Sequence, residues 1–498
     1  METGFYKHNE EKFNYNVDCL IKKTLLFLKH NYLFLCIFCT FLWLFYAFYP
    51  GTVANDSYDM YSGAFHNNIG NWHSVLLTRF WRLIVSITSI KGIYVLIPFM
   101  TICIGLYIIA RNISKGIFTG LICVIILLIP PVFVFLTVAL KDTYLASFAF
   151  LIAALMIDRA ISDKKRTIFF HVFSVFILIC CFYLRPNACF IAVPLLIAIL
   201  MGWKAPIIYR YISCLALVLC VIVSTPFVDL KLLGGRDDAP DFSLMLFDIA
   251  GVAKHSGVST LPEVPGISDQ VTELKRDYTP LQWDPLNRRF GSYFLGQKDL
   301  YGEKDPERFA KLKHDMRKAW LTAITQHPVA YLKHRISHFN RFIGYQGHHP
   351  AYQPIYTETI GFSNEYRDPD PAINYVIEPP RIWTSVIHMD LAHQLWFHPY
   401  VSLLILLFFY LATLATSDRF NRTLNVVAFS GMIYLVGFLF IGVSSDFRYS
   451  YPSLLLSILC ILAAFGYYSQ KREVFGTKKT RIIAASVTVP LFLIGIIL

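Results

Sequence analysis

The chain returns repeatedly to long apolar runs, and a helix of roughly 20 apolar residues is what a bilayer core about 30 Å thick requires. Reading for such runs gives about eleven candidate spans: 25–49, 92–110, 116–140, 143–157, 167–183, 188–203, 207–228, 395–414, 424–443, 449–468 and 482–498. The fourth and fifth are short for full spans. Composition points the same way: charged residues make up 16% of the 498 positions and hydrophobic residues 55%, whereas soluble domains carry about 25% charge. That excludes a string of soluble domains, a disordered chain, an ordinary nucleic-acid-binding domain and a disulfide-stapled secreted scaffold. The expectation is an all-α polytopic membrane protein. Its net charge of +12 then reports loops and anionic membrane lipid, with no nucleic-acid partner.

Orientation follows from short loops, where Lys and Arg gather on the cytoplasmic side. With the N-terminus inside, that side holds about 20 basic residues, from Lys7 to Arg481, against Lys141, Arg185 and Arg448 outside. An odd span count puts the C-terminus outside. The expected organisation is a membrane module over 1–228 with a first outer loop at 50–91, a soluble outer domain over 229–394, and membrane helices over 395–498. Within the first loop, 72–90 is apolar but interrupted by His73, Arg79 and Arg82. It reads as a helix lying in the interface, with a tilted twelfth span as the alternative. The outer domain reads as mixed but mainly helical, most clearly over 306–344, with a Pro-rich loop at 350–380. It contains none of the 11 cysteines, so no disulfide framework holds it; Cys180 and Cys181 read as small apolar core residues.

Ionisable groups beside spans are functional candidates, because charge at membrane depth is costly. Four clusters share the outer face: Asp56 with Asp59, Lys141 with Asp142, Arg185 with Asn187, and Asp446 with Arg448. Carboxylates that can act as bases stand beside cations that can hold an anion. A pore would favour one sign, and a proton-coupled carrier would place acids mid-span. Asp56 follows the Pro50-Gly51 helix break, so it stands at the interface, where partial desolvation would raise its pKa and make it a better base. Alternatively it caps the next helix or closes an Asx-turn. Lys141, Arg185 and Arg448 suit a phosphate or snorkel to lipid headgroups. Arg79 and Arg82, three apart, share a helix face.

These residues carry a resemblance. Tyr49-Pro50-Gly51 through Asp56-Ser57, Gly70-Asn71-Trp72-His73, Lys141-Asp142, Arg185-Pro186-Asn187 and Asp446-Phe447-Arg448-Tyr449, around a large outer domain, resemble the GT-C superfamily of integral-membrane glycosyltransferases. Within it the chain is most similar to bacterial serotype-converting O-antigen glycosyltransferases. The resemblance implies a polyprenyl-phosphate sugar as donor, with glucose on undecaprenyl phosphate suggested. It implies a lipid-linked or polymeric glycan as acceptor, and a bacterial inner membrane with the active site on the periplasmic side. It assigns the catalytic base to Asp56, with Asp59 in reserve, and the donor lipid phosphate to Lys141, Arg185 and Arg448, with Arg79 and Arg82 alongside. His73, Asp142, Asn187 and Asp446 would support the site or the acceptor. Related sequences often read His-Pro where this chain has His73-Ser74. One base plus cations suffices for a phosphate leaving group, so the two-carboxylate geometry of glycoside hydrolysis is not required.

No metal or other cofactor is required by this reading. His334 and His338 stand four apart, followed by His348-His349, and read as solvated or core histidines before a zinc site. Asp237-Asp238 with Asp241 leaves a divalent cation open. Trp283, Tyr293, Tyr345 and Trp383 could stack on sugar rings or simply pack. The competing readings are an O-antigen ligase or polymerase, a flippase of lipid-linked sugar, and a membrane O-acyltransferase built on His171 or His398.

Overall fold

An apolar run surrounded by lipid satisfies its backbone internally only as a helix, and every one of the eleven runs carries a helix. The computed structural model describes residues 31–49, 51, 54–88, 92–113, 116–165, 167–201, 206–301, 305–345 and 395–497. The basic N-terminal residues through Lys29, Cys19, the 350–380 stretch, His348-His349 and Trp383 lie outside the described residues. The helices are α1 (Asn31–Ala47), α2 (Asn55–His66), α3 (Val75–Ile87), α4 (Ile93–Ala110), α5 (Ile117–Leu128), α6 (Pro130–Leu136), α7 (Lys141–Ile161), α8 (Ile168–Phe182), α9 (Ala188–Leu200) and α10 (Ile207–Phe227). They continue with α11 (Asp241–Ser256), α12 (Gln270–Asp277), α13 (Asp284–Leu286), α14 (Ser292–Tyr301), α15 (Pro306–Gln326), α16 (Pro328–Ile343), α17 (Pro399–Thr413), α18 (Arg419–Ile441), α19 (Tyr451–Lys471) and α20 (Lys478–Ile497). Among the described residues there is no strand. The mixed character expected of the 229–394 region is therefore not found in its described part, which is helical through residue 343.

Among the described residues, five helices are long and apolar enough to cross a membrane: Ile93–Ala110, Lys141–Ile161, Ile208–Leu232, Arg419–Ile441 and Phe447–Lys471. The third apolar run, read as one span, is instead a pair, α5 and α6, bent by 68°. Ile129 explains the bend. A residue before proline is driven out of the helical region, and Ile129 sits at φ −63, ψ 126 before Pro130 starts a new helix. Counted as one span, the pair makes six. The fourth run, short in sequence, is a 21-residue helix, α7. It is central, with 83% of its apolar window buried. Ala146, Ala149, Ala153, Ala154 and Ala160 line it, and small side chains let neighbouring helices approach closely. By contrast, only 6% of the Ile208–Leu232 window is buried; this helix stands at the edge and shows apolar side chains outward.

A second apolar core forms over residues 239–330, around Phe242, Phe247, Trp283, Phe290 and Met316. A polar network runs through it. Asp248 receives Trp320 Nε1 at 2.7 Å, His334 Nε2 at 3.1 Å and Arg335 Nη2 at 2.5 Å. Arg335 also donates to the Gly442 carbonyl at 2.6 Å, and His338 Nδ1 meets the Pro280 carbonyl at 2.8 Å. Burial pushes the Asp248 carboxyl up, but Arg335 and His334 outweigh it and hold it below its usual range. Burial likewise pushes His338 down to about 3. These histidines are thus committed to a structural network. Removing one partner of a buried ion pair costs about 3–5 kcal/mol. Asp248→Ala is therefore expected to lower the melting temperature of the detergent-purified protein sharply, while an unchanged melt would mean the network is not structural.

Candidate functional site

Each site residue is fixed by a local device. Gly51 takes φ +110, and a Cβ there would lie 2.3 Å from Val95 Cγ2, so only glycine fits this turn out of α1. The chain then starts α2, with Ala54 in the cap position. Asp56 therefore falls in the first turn, free to reach across to other elements. Ser74 caps α3 by accepting from Leu77 N at 3.1 Å and donates to the Tyr183 carbonyl at 2.7 Å. A proline at 74 could not make that second bond, which ties His73 to the turn carrying Arg185. Lys141 opens α7. Asp446 caps the turn Phe447–Ser450 by accepting from Arg448 N at 3.0 Å, and its other oxygen holds Arg448 Nε at 2.8 Å.

These devices converge on Asp56. Its Oδ2 lies 3.0 Å from Arg448 Nη1, 3.7 Å from Lys141 Nζ and 3.9 Å from His73 Nδ1. Lys141 Nζ is 3.0 Å from His73 Nδ1. His73 Nε2 faces Asp59 Oδ2 at 3.5 Å. Arg185 pairs with Asp142, which is fully buried. The Arg185 guanidinium stacks on Tyr449 at 4.2 Å, and Arg448 lies 5.0 Å from the same ring. Five separate stretches of chain thus meet in one charge cluster.

The electrostatics reverse one expectation. Burial does push the Asp56 carboxyl up, but Arg448, Lys141, His73 and Arg185 together outweigh it, and the carboxyl is held well below its ordinary 3.8. Asp446 goes the other way, because burial outweighs Arg448 and its own backbone contact.

The cluster lines a cavity of about 1350 Å³. Asn187, Ile222, Thr225, Pro226, Trp72, Trp283, Lys313 and Arg317 also line it. Trp72 and Trp283 lie ring to ring at 5.8 Å. Backbone bridges Gly70–Arg236 and Gln282–Ser444 tie the two cores together around this space.

Two expected residues are not in the cluster. Arg79 donates to the Leu233 and Gly234 carbonyls, both at 2.9 Å, and to Asn67 Oδ1 at 3.1 Å. Arg82 donates to the Ala64 carbonyl at 3.1 Å. Their shared face packs on chain carbonyls, so neither stands beside Asp56 to hold a phosphate. Asp59 reaches the rim with its side chain 58% exposed. Asp237, Asp238 and Asp241 are each held by a different cation, Lys313 at 2.7 Å, Arg236 at 2.9 Å and Arg317 at 3.1 Å. They do not converge as cation ligands do, and among the described residues no group of three or more His, Cys, Asp or Glu could hold a metal ion.

Sequence reasoning gave no role to Tyr449, whose ring carries both guanidinium groups, and missed Asp229, a buried carboxylate lining the cavity. The rule that flagged charge beside spans would have flagged Asp229 too, had it not been taken as the first residue of the next domain. Comparison with protein-family models, curated proteins and solved structures finds no match for this chain.

Proposed function

We propose that the chain is an integral-membrane glycosyltransferase of GT-C type, moving a sugar from a polyprenyl phosphate onto a glycan acceptor. The observation that carries the reading is the Asp56 carboxylate set among Arg448, Lys141 and His73 in the lining of a cavity of about 1350 Å³. In this reading the acceptor hydroxyl attacks the anomeric carbon and the new glycosidic bond forms. The bond to the phosphate oxygen breaks with its electron pair, and Asp56 takes the hydroxyl proton. Arg448 and Lys141 stabilise the phosphate as it leaves, the place where charge develops and where fixed cations contribute most. A single displacement gives inversion at the anomeric carbon. The exposed apolar helix over Ile208–Leu232 would face lipid beside the cavity, suiting a donor whose tail stays in the bilayer.

The fuller form of the proposal has eleven spans, the N-terminus inside and the C-terminus outside, with the cavity on the periplasmic side of a bacterial inner membrane. The donor is undecaprenyl-phosphate glucose and the acceptor an O-antigen polysaccharide. The test supplies that donor to membranes with and without the chain and weighs the polysaccharide repeat unit by mass spectrometry. A hexose added only when the chain is present supports the reading. Unmodified repeats with donor supplied on the outer face would sink it, since a flippase makes no bond.

A further inference from the structure

Asp229 is the odd carboxylate of the cavity. Asp56 and Asp446 share Arg448, Asp237 has Lys313 and Asp241 has Arg317. Asp229 is 9% exposed, and among the described residues it has no cation partner and its Oδ1 receives no hydrogen bond. It lines the same cavity. Its position is built. The helix α10 ends in a π-helical turn, Val228–Leu232, a distortion that recurs at functional sites. The turn is closed by Leu233 N on the Val228 carbonyl at 2.8 Å, and Gly235 N holds the Asp229 carbonyl at 2.8 Å. Arg79, absent from the charge cluster, clamps the next two carbonyls of this segment.

A buried carboxylate without a donor is costly to keep, and such groups call for a partner outside the chain. A carboxylate only accepts hydrogen bonds and can take two at once. It repels a phosphate, so the fitting partner is a hydroxyl-rich, uncharged group. We propose that Asp229 is a carbohydrate-binding residue, accepting hydroxyls of the transferred sugar while the cations at Asp56 hold the lipid phosphate. The assignment rests on the glycosyltransferase reading of the same cavity.

The test measures binding of undecaprenyl phosphate and of undecaprenyl-phosphate glucose to the detergent-purified chain, alongside Asp229→Asn and Asp229→Leu. A charge-assisted hydrogen bond corresponds to roughly tenfold in affinity. Wild type is expected to hold the sugar-bearing lipid about tenfold more tightly than the bare lipid phosphate. Asp229→Leu is expected to lose that margin, and Asp229→Asn, whose amide oxygen still accepts but carries no charge, to lose most of it; both should bind the bare lipid as wild type does and melt no lower than wild type without lipid, since an unpaired buried charge has been removed. A margin that survives in both variants overturns the assignment, as does a wild type with no margin. Variants that both melt well below wild type mark Asp229 as a structural group and overturn it too. If neither lipid binds wild type, the glycosyltransferase reading fails and this assignment with it.

Discussion

Asp56→Asn is expected to lower sugar transfer by about 10²–10⁴-fold, the range general base catalysis contributes, with the protein still folded. Asparagine keeps the shape and loses the charge and the ability to take a proton. The cations it leaves behind are not orphaned: Arg448 keeps Asp446 at 2.8 Å and Lys141 keeps His73 at 3.0 Å. The loss should therefore fall on kcat. KM for the lipid donor should hold or drop, because Arg448 and Lys141 no longer share themselves with a carboxylate, and a fall in kcat without a rise in KM marks a group acting in the transition state. Asp59→Asn is the control. Its carboxylate is mostly exposed and, among the described residues, meets His73 alone, at 3.5 Å, so it should keep activity within a few-fold of wild type. Steady-state rates in membranes, normalised to protein level by blot, decide the matter. An Asp56→Asn protein as active as wild type would remove the base from the proposal.

How much of this was legible beforehand depends on the kind of information each residue carries. Apolar runs announce helices by length alone, and all eleven contain one. Whether a helix is straight depends on a single dipeptide, and Pro130-Pro131 splits the third run because Ile129 cannot stay helical before proline. Charge placement was legible where hydropathy made it expensive, hence Asp56, Lys141, Arg185 and Arg448, which the fold brings to one cavity. The destination of a long side chain was not. Arg79 and Arg82 share a helix face as their spacing implies, but carbonyls 154 and 18 residues away in sequence take their guanidinium groups. His334 and His338 have the spacing of a metal pair, while their partners, Asp248 and the Pro280 carbonyl, come from elsewhere in the chain. The sign of the Asp56 shift was missed for the same reason. Desolvation could be inferred from one loop, but the cations that overrule it come from three others.

That sign makes Arg448→Gln the second decisive variant. Arg448 heads the cations that oppose burial at Asp56. Removing it should raise the Asp56 pKa, so at any acidic pH less of the carboxylate is available as base. The acidic limb of kcat/KM, which in wild type should lie below the ordinary 3.8, should move upward in pH. Free-protein ionisation is what kcat/KM reports. The same linkage acts on stability: a depressed folded-state pKa stabilises above the unfolded value, and that contribution is lost as pH falls through the folded one. The variant should therefore show a weaker acid-dependence of melting from this group. At neutral pH the rate should still fall by about 10²–10³-fold, as when a fixed stabiliser of developing charge is removed. Arg448→Lys should restore part of the limb position, since the charge returns, but less of the rate, since lysine lacks the fork that can hold Asp446, Asp56 and a phosphate oxygen together. In wild type a donor phosphate arriving at Arg448 and Lys141 competes with Asp56 for them. The carboxylate then regains basicity only when donor is bound, and the acidic limb of kcat should stand at higher pH than that of kcat/KM. Coincident limbs in wild type, or a limb that Arg448→Gln does not move, would separate Arg448 from the base and leave it as a structural partner of Asp446.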